Sequence, residues 1–265
     1  MERSGRLETP GRAAMAPTLA RRVLLRSLTL QASWNDQRMQ NLGLLVSLVP
    51  WLEQQRLAPD ELRRICRRYY GFFNTNPYLS TFVIGGLLRL ESDRQAGRAV
   101  GDRQVAGIRD ALARACGSLG DQLFWLGLRP TLMLACCGLA CLGRWETVLG
   151  LLAVFTLAQL DLRRRGLALG FGRGPDVVDV LARPAWHRAI AGSRSAALVL
   201  TGLLVGCYIA SAVDLGPQVG AGKTLGAVIA GFAVPHLVRQ KAPGEVQLLL
   251  ALAVAVGLAM VLPVA

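Results

Sequence analysis

Three clusters of side chains that both donate and accept hydrogen bonds stand directly against apolar runs: QASWNDQRMQNLG over 31–43, FFNTNP over 72–77 and GSLGDQLFWLGLRP over 117–130. Asn, Gln, Thr and Asp are expensive inside a membrane unless they line a cavity. Taken one at a time, each cluster has a plainer reading. Ser33 fits the cap of a helix beginning at Trp34, Asn74 to Pro77 fit a turn, and Gly120-Asp121 fit another cap, with Phe124 and Trp125 as interfacial aromatics.

Catalytic constellations do not accompany these clusters. The two histidines, His187 and His236, lie in a basic stretch and after Pro235 in an apolar one, and neither has Ser/Asp or metal-ligand spacing around it. The six cysteines (Cys66, Cys116, Cys136, Cys137, Cys141 and Cys207) form no CxxC pair and read as small buried hydrophobes. GPQVGAGKT over 216–224 resembles a phosphate loop, but Pro217 stands where the pattern requires Gly and no strand precedes it, so it reads as a Gly-rich turn. GLALGFGRGP over 166–175 lacks the dinucleotide spacing and reads as a flexible loop. No catalytic residue, metal or cofactor is expected.

The elements that hold the polar clusters follow from composition. The chain has 28 Arg and 2 Lys, a net charge of +13, and yet is 52% hydrophobic and only 6% aromatic. Leu, Ala, Val and Gly supply the apolar excess, a mixture favoured in packed membrane helices. A basic chain suits nucleic acid or an anionic membrane face. Residues 1–120 hold 18 Arg, whereas 195–265 hold only Lys223, Arg239 and Lys241 as cations among apolar runs. No basic stripe is interleaved with stacking aromatics, which argues against nucleic acid.

Residues 1–17 read as a disordered basic tail, or as an extended start with Met15 the first residue, and no secretory signal is recognisable. From Thr18, Leu19, Val23, Leu24 and Leu28 share a face with Arg21, Arg22 and Arg26 between them, a short basic amphipathic helix suited to an anionic membrane surface. A second helix places Leu62, Ile65, Cys66, Tyr69, Tyr70 and Phe73 on one face, with Asp60 as its expected cap. A third runs from 102 to 116. The apolar runs 42–52 and 78–88 are half the length of a span and read as buried core helices or re-entrant segments. Five spans are expected, at 124–142, 147–161, 195–213, 224–238 and 246–265. The intervening stretch 162–194, read as a loop, carries Arg163, Arg164, Arg165, Arg173, Arg183, Arg188 and Arg194. The positive-inside rule then puts it and the N-terminus in the cytoplasm and the C-terminus in the periplasm. The fold class is thus an all-α integral membrane protein, with amphipathic and re-entrant helices over 18–122 followed by about five transmembrane helices over 123–265.

In this order and spacing the motifs resemble the IID component of the mannose/fructose/sorbose family of the phosphoenolpyruvate-dependent sugar phosphotransferase system. The matching residues are Ser33-Trp34-Asn35, Arg38-Met39-Gln40, Phe72 to Pro77, Leu90-Glu91, Gly120-Asp121, Phe124-Trp125 and Arg129-Pro130. The resemblance implies a multi-pass subunit of the bacterial inner membrane, not itself the phosphotransferase. It would form a sugar pathway with a IIC subunit, with IIA and IIB (or IIAB) proteins supplying phosphate, a hexose-type sugar as cargo, and membrane lipids around it. A sugar's hydroxyls suit Asn74, Thr75, Asn76, Asp121 and Gln122, with Trp125 offering a ring face. Trp34, Asn35, Arg38, Gln40, Pro77, Glu91 and Arg129 are then expected at motif or partner interfaces. The chain departs from the family's pattern at ARACGS over 113–118, at Gln122, at Ser92 in place of a second acid, and at Arg89 within an apolar run. These departures motivate an alternative, a non-transporting IID acting as a membrane scaffold or regulatory docking protein.

Overall fold

The structure is a computed structural model and describes residues 14–212, with the side chains of 14–205. Most of the expected tail, the spans at 224–238 and 246–265, the 216–224 turn, the C-terminus and His236 lie outside the described residues. Every named element among the described residues is helical, with two isolated bridges, Asn35 to Met39 and Met39 to Phe73. The helices form two compact units. One takes the described residues through Gly120 together with Leu157–Arg183; the other takes Asp121–Thr156 and the helix from Pro184.

The first unit is built around α4 (Ser80–Gln95), which is buried at every position from Ser80 to Glu91. A helix that is apolar all round must be covered on all sides. Its cover comes from α1 (Pro17–Ser27), α2 (Asn41–Gln55) and α5 (Asp102–Gly120), and from the last turns of α7 (Trp145–Arg173) with the 3₁₀ turn Gly174–Asp176. The short α3 (Pro59–Tyr69) packs on α2, and α8 (Val177–Leu181) packs on α5. The amphipathic helix expected from Thr18 forms as α1 but turns Leu19 and Val23 onto α2, where Arg22 also pairs with Glu53. In α3 the expected cap Asp60 falls inside the first turn. Pro59 starts the helix because its missing N–H costs nothing there, and Asp60 and Glu61 face the positive helix end.

The stretch 166–175 is not a loop. It continues α7 as helix to Arg173, and two of its glycines, Gly166 and Gly170, have a packing role. Gly166 and Gly170 lie one turn apart on the face that meets α4, where a Cβ at Gly170 would overlap the Phe82 carbonyl and one at Gly166 the Phe82 ring. Gly85 of α4 faces the Leu167 carbonyl from the other side. Four-residue spacing of small residues lets two helix backbones approach closely, and this seam favours helix over loop. Arg89, unexpected in the apolar run, pairs through Nε with Asp93 at 2.9 Å, and Ser92 accepts a hydrogen bond from the Trp51 indole at 3.1 Å.

The second unit holds a π-helical stretch, Asp121–Leu128, with α6 (Arg129–Cys141), the first part of α7 and α9 (Pro184–Ala212). Gly127 meets Ser193 of α9, and Thr131 Oγ1 donates to the Ser193 carbonyl at 2.8 Å. Among the described residues three helical stretches are long and apolar enough to cross a membrane: Asp102–Cys141, Trp145–Leu181 and Pro184–Val205. The expected spans at 124–142, 147–161 and 195–213 begin within them. Leu142, Trp145, Leu149 and Val154 stand exposed near the α6–α7 turn, an apolar surface that hydrocarbon would cover. The helix expected over 102–116 and the span expected from 124 are joined, since helical structure runs through from Asp102 to Cys141. The wider π turns just before Pro130 accommodate a residue that cannot donate to the preceding turn.

Candidate functional site

The first two polar motifs fold into one hydrogen-bonded latch in the first unit. Asn35 starts it: its Oδ1 accepts from the Arg38 N–H at 2.8 Å, and its main chain exchanges both hydrogen bonds with Met39. No helix begins at Trp34; the chain makes this bridged turn instead and enters α2 at Asn41. The turn holds Met39 at φ 55°, a left-handed conformation that a side chain adopts at a cost of order 1–3 kcal/mol unless its surroundings fix it. Here both Met39 main-chain groups are bonded, which is why the cost is borne.

Gln40 then acts as a surrogate strand. It is 2% exposed, and its amide takes the Thr75 N–H at 3.1 Å while donating to the Thr75 carbonyl at 2.9 Å. Thr75 Oγ1 donates to the Ala113 carbonyl of α5 at 3.0 Å. Every polar group of Thr75 is thereby used. Asn76 Oδ1 accepts from the Tyr78 N–H at 3.0 Å, and the side chain lies against Gly120, where any Cβ would collide with it. Pro77 is buried, and its carbonyl accepts from Ser80 Oγ at the start of α4. Asn74 alone of the polar knot is exposed. The third motif meets this knot at the end of α5, where Gly117 and Gly120 lie against Thr75 and Asn76; Ala113, the partner of Thr75 Oγ1, lies one turn before it.

Two partners of the latch were not legible as such in the sequence. Asn41 accepts from Asn35 Nδ2 at 3.1 Å and donates to the Tyr70 carbonyl at 2.8 Å, tying the turn to the end of α3. Gly120 acts as clearance for Asn76, where the pattern had suggested a cap. The polar letter next to Gln40 was the available signal for Asn41.

Glu91 sits apart from the latch. It is 1% exposed, and its Oε1 accepts from the Tyr69 hydroxyl at 2.7 Å and from Arg68. Arg68 also reaches Asp102 at 2.8 Å, and Arg109 Nη1 donates to the Arg68 carbonyl at 2.8 Å. Burial, and then the neighbouring Glu91 carboxylate, push the Tyr69 hydroxyl well above its ordinary pKa. The cluster therefore joins α3, α4 and α5 with Tyr69 protonated.

In the second unit the π turns sort their residues into two flanks. Leu123, Phe124 and Gly127 are buried, whereas Asp121, Trp125, Leu126 and Arg129 are exposed and Gln122 is half-buried. The Arg129 guanidinium stacks 4.3 Å from the Trp125 ring centroid. Asp121 lies within continuous helix, so it has no free helix start to cap. Carboxylate, amide, indole and guanidinium thus share a strip able to accept and donate to hydroxyls beside an aromatic face. Among the described residues no group of three His, Cys, Asp or Glu side chains could hold a metal ion.

The family described as the PTS system mannose/fructose/sorbose family IID component matches residues 16–261. The chain is 33% identical over 186 residues to the PTS system mannose-specific EIID component of Escherichia coli (strain K12), covering 70% of this chain and 66% of that one. It is 29% identical over 175 residues to the PTS system sorbose-specific EIID component of Lacticaseibacillus casei, covering 66% of this chain and 62% of that one. These alignments span just under two thirds of the relatives' own lengths. A solved membrane protein superposes with a TM-score of 0.69 at 26% identity, over 91% of this chain and 96% of that one. The cryo-EM structure of the mannose transporter ManYZ with microcin E492 (MceA) contains a chain that superposes with a TM-score of 0.58 at 26% identity, over 92% of this chain and 96% of that one.

Proposed function

This chain belongs to the IID components of the mannose/fructose/sorbose phosphotransferase family, and from that footing we propose that it forms a hexose-type sugar pathway together with a IIC subunit. IIA and IIB proteins, or a IIAB protein, supply the phosphate, so this chain is a transport subunit that is not itself phosphorylated. It lies in the bacterial inner membrane with its N-terminal half and the 174–183 stretch cytoplasmic and its C-terminus periplasmic.

The observation that carries the reading is the strip of exposed Asp121, Trp125 and Arg129 with half-buried Gln122, on and just after the π-helical turns. Such turns recur at functional sites because they re-aim side chains out of the regular helical register. In this reading Asp121 accepts two sugar hydroxyls, Gln122 pairs with another, and Arg129 holds the Trp125 ring for stacking. Asn74 is the member of the polar knot assigned to sugar in the first unit, and Thr75 and Asn76 hold its backbone in place. Trp34, Asn35, Arg38, Gln40 and Pro77 are assigned to the latch and its surroundings, and Glu91 to the buried cluster behind it.

The test is uptake of labelled hexose by cells coexpressing this chain with a IIC partner and IIA/IIB proteins. Asp121→Asn removes a charge-assisted hydrogen bond and is expected to weaken apparent affinity by about 10-fold to 100-fold. Asn74→Ala is expected to weaken it less, with membrane levels unchanged in both. Wild-type affinity in both variants would refute the sugar assignment.

A further inference from the structure

The outer face of α3 carries a pattern that the sugar reading leaves unused. Ile65 and Tyr69 are buried, and Arg63, Arg67 and Tyr70 at i, i+4 and i+7 form a strip on the opposite side, with Arg64 beside it. Arg63 pairs with the exposed Asp60 at 3.0 Å, while Arg64 and Arg67 take part in no ion pair among the described residues. Three large aromatic side chains are exposed at the end of α3 and on the segments bonded to it: Trp34 at 52%, Tyr70 at 49% and Phe72 at 55%. The latch holds them there. Asn35, next to Trp34, bonds Asn41, which bonds the Tyr70 carbonyl, and Phe72 precedes Phe73, whose carbonyl accepts from the Gln40 N–H at 2.8 Å. Arg38 stacks over the Tyr70 ring at 4.3 Å.

Each half of this pattern has a physical preference. Arginines without acids attract phosphate oxygens, which accept their forked N–H groups. Exposed Trp and Tyr rings settle at the level of lipid headgroups, where one part is apolar and the other wet. An acidic protein surface would complement the arginines and leave the rings without hydrocarbon; a bilayer interface supplies both at fixed depth. With 11 residues, α3 is too short to span but long enough to lie in the plane of the interface.

We propose that this face, Arg63, Arg64 and Arg67 with Trp34, Tyr70 and Phe72, docks on the headgroups of anionic phospholipid. The docking fixes the latch relative to the membrane plane, and it does not depend on which sugar the protein carries.

The test uses the full chain in nanodiscs of phosphatidylcholine containing a graded share of phosphatidylglycerol with brominated acyl chains. The difference between wild type and Trp34→Phe isolates the Trp34 fluorescence. Trp34 is expected to be quenched progressively as brominated phosphatidylglycerol rises. At about fivefold per arginine, the Arg63→Gln/Arg64→Gln/Arg67→Gln variant is expected to need at least tenfold more of it for the same quenching, with helical content unchanged by circular dichroism. Trp34 left unquenched at every lipid composition overturns the proposal. Equal quenching in wild type and the triple variant overturns the arginine assignment. Loss of a co-purifying protein from the triple variant, with Trp34 unquenched in wild type, would assign the face to a protein partner and end the lipid reading.

Discussion

Replacing Glu91 with Gln separates a structural role for that residue from a partner-facing one. Glu91 and the Arg68 side chain are 1% and 8% exposed, so the ion pair between them is nearly dry. Removing one member of a buried pair typically costs about 3–5 kcal/mol, because the other charge stays buried. Two features reduce the loss here. Arg68 keeps Asp102 at 2.8 Å, and the Gln carbonyl can still accept from the Tyr69 hydroxyl. The expected loss for Glu91→Gln is therefore near the lower end, about 3 kcal/mol. Tyr69→Phe, which deletes one hydrogen bond to a charged acceptor, is expected to cost about 1.5–3 kcal/mol. Joint replacement, Arg68→Met with Glu91→Leu, is expected to recover much of the Glu91→Gln loss because it strands no charge on Glu91's partner. The assay is chemical denaturation of the purified protein in detergent, followed by circular dichroism. A Glu91→Gln loss under about 1 kcal/mol, accompanied by loss of IIC co-purification, would refute the buried-pair reasoning and place Glu91 at the subunit interface.

Gly170→Ala is expected to destabilise by about 1–3 kcal/mol, because the added Cβ meets the α4 backbone at Phe82 and Gly86. Gly172→Ala has nothing within 4 Å and is expected to be neutral or stabilising by up to about 1 kcal/mol, so thermal midpoints of the two variants check the seam directly. The raised Tyr69 pKa has a pH consequence. Below about pH 10 the unfolded tyrosine is protonated and the full stability is present; above it the unfolded form loses its proton while the folded form keeps it, so stability falls as pH rises. Denaturation midpoints between pH 9 and 11 are expected to fall more steeply in wild type than in Tyr69→Phe, and equal slopes would contradict the assignment. Reporter fusions after Arg183 and after Ala265 are expected to read cytoplasmic and periplasmic respectively, and matching signals would overturn the proposed topology.

The residue pattern alone identified the polar motifs, their order, and an all-helical membrane chain, because apolar length and charge asymmetry are properties of local sequence. It also located α1, α3 and the start of α5 within a few residues. What it could not supply is which polar groups pair with one another. Gln40 and Thr75 are 35 positions apart, and only the folded chain lays one amide along the other's backbone. The glycines of 166–175 read as a loop because glycine is locally permissive; against α4 two of them, Gly166 and Gly170, permit a close helix contact that a Cβ would block. Glu91 carried no sign of its burial, since the hydroxyl and guanidinium that satisfy it come from α3. Asp121 looked like a cap because Gly-Asp commonly starts a helix, whereas here helical structure runs on from α5 through it as π turns, whose Gly127 packs on Ser193 of α9. Local chemistry decides which residues can bond, and long-range packing decides which of them remain exposed to meet a ligand.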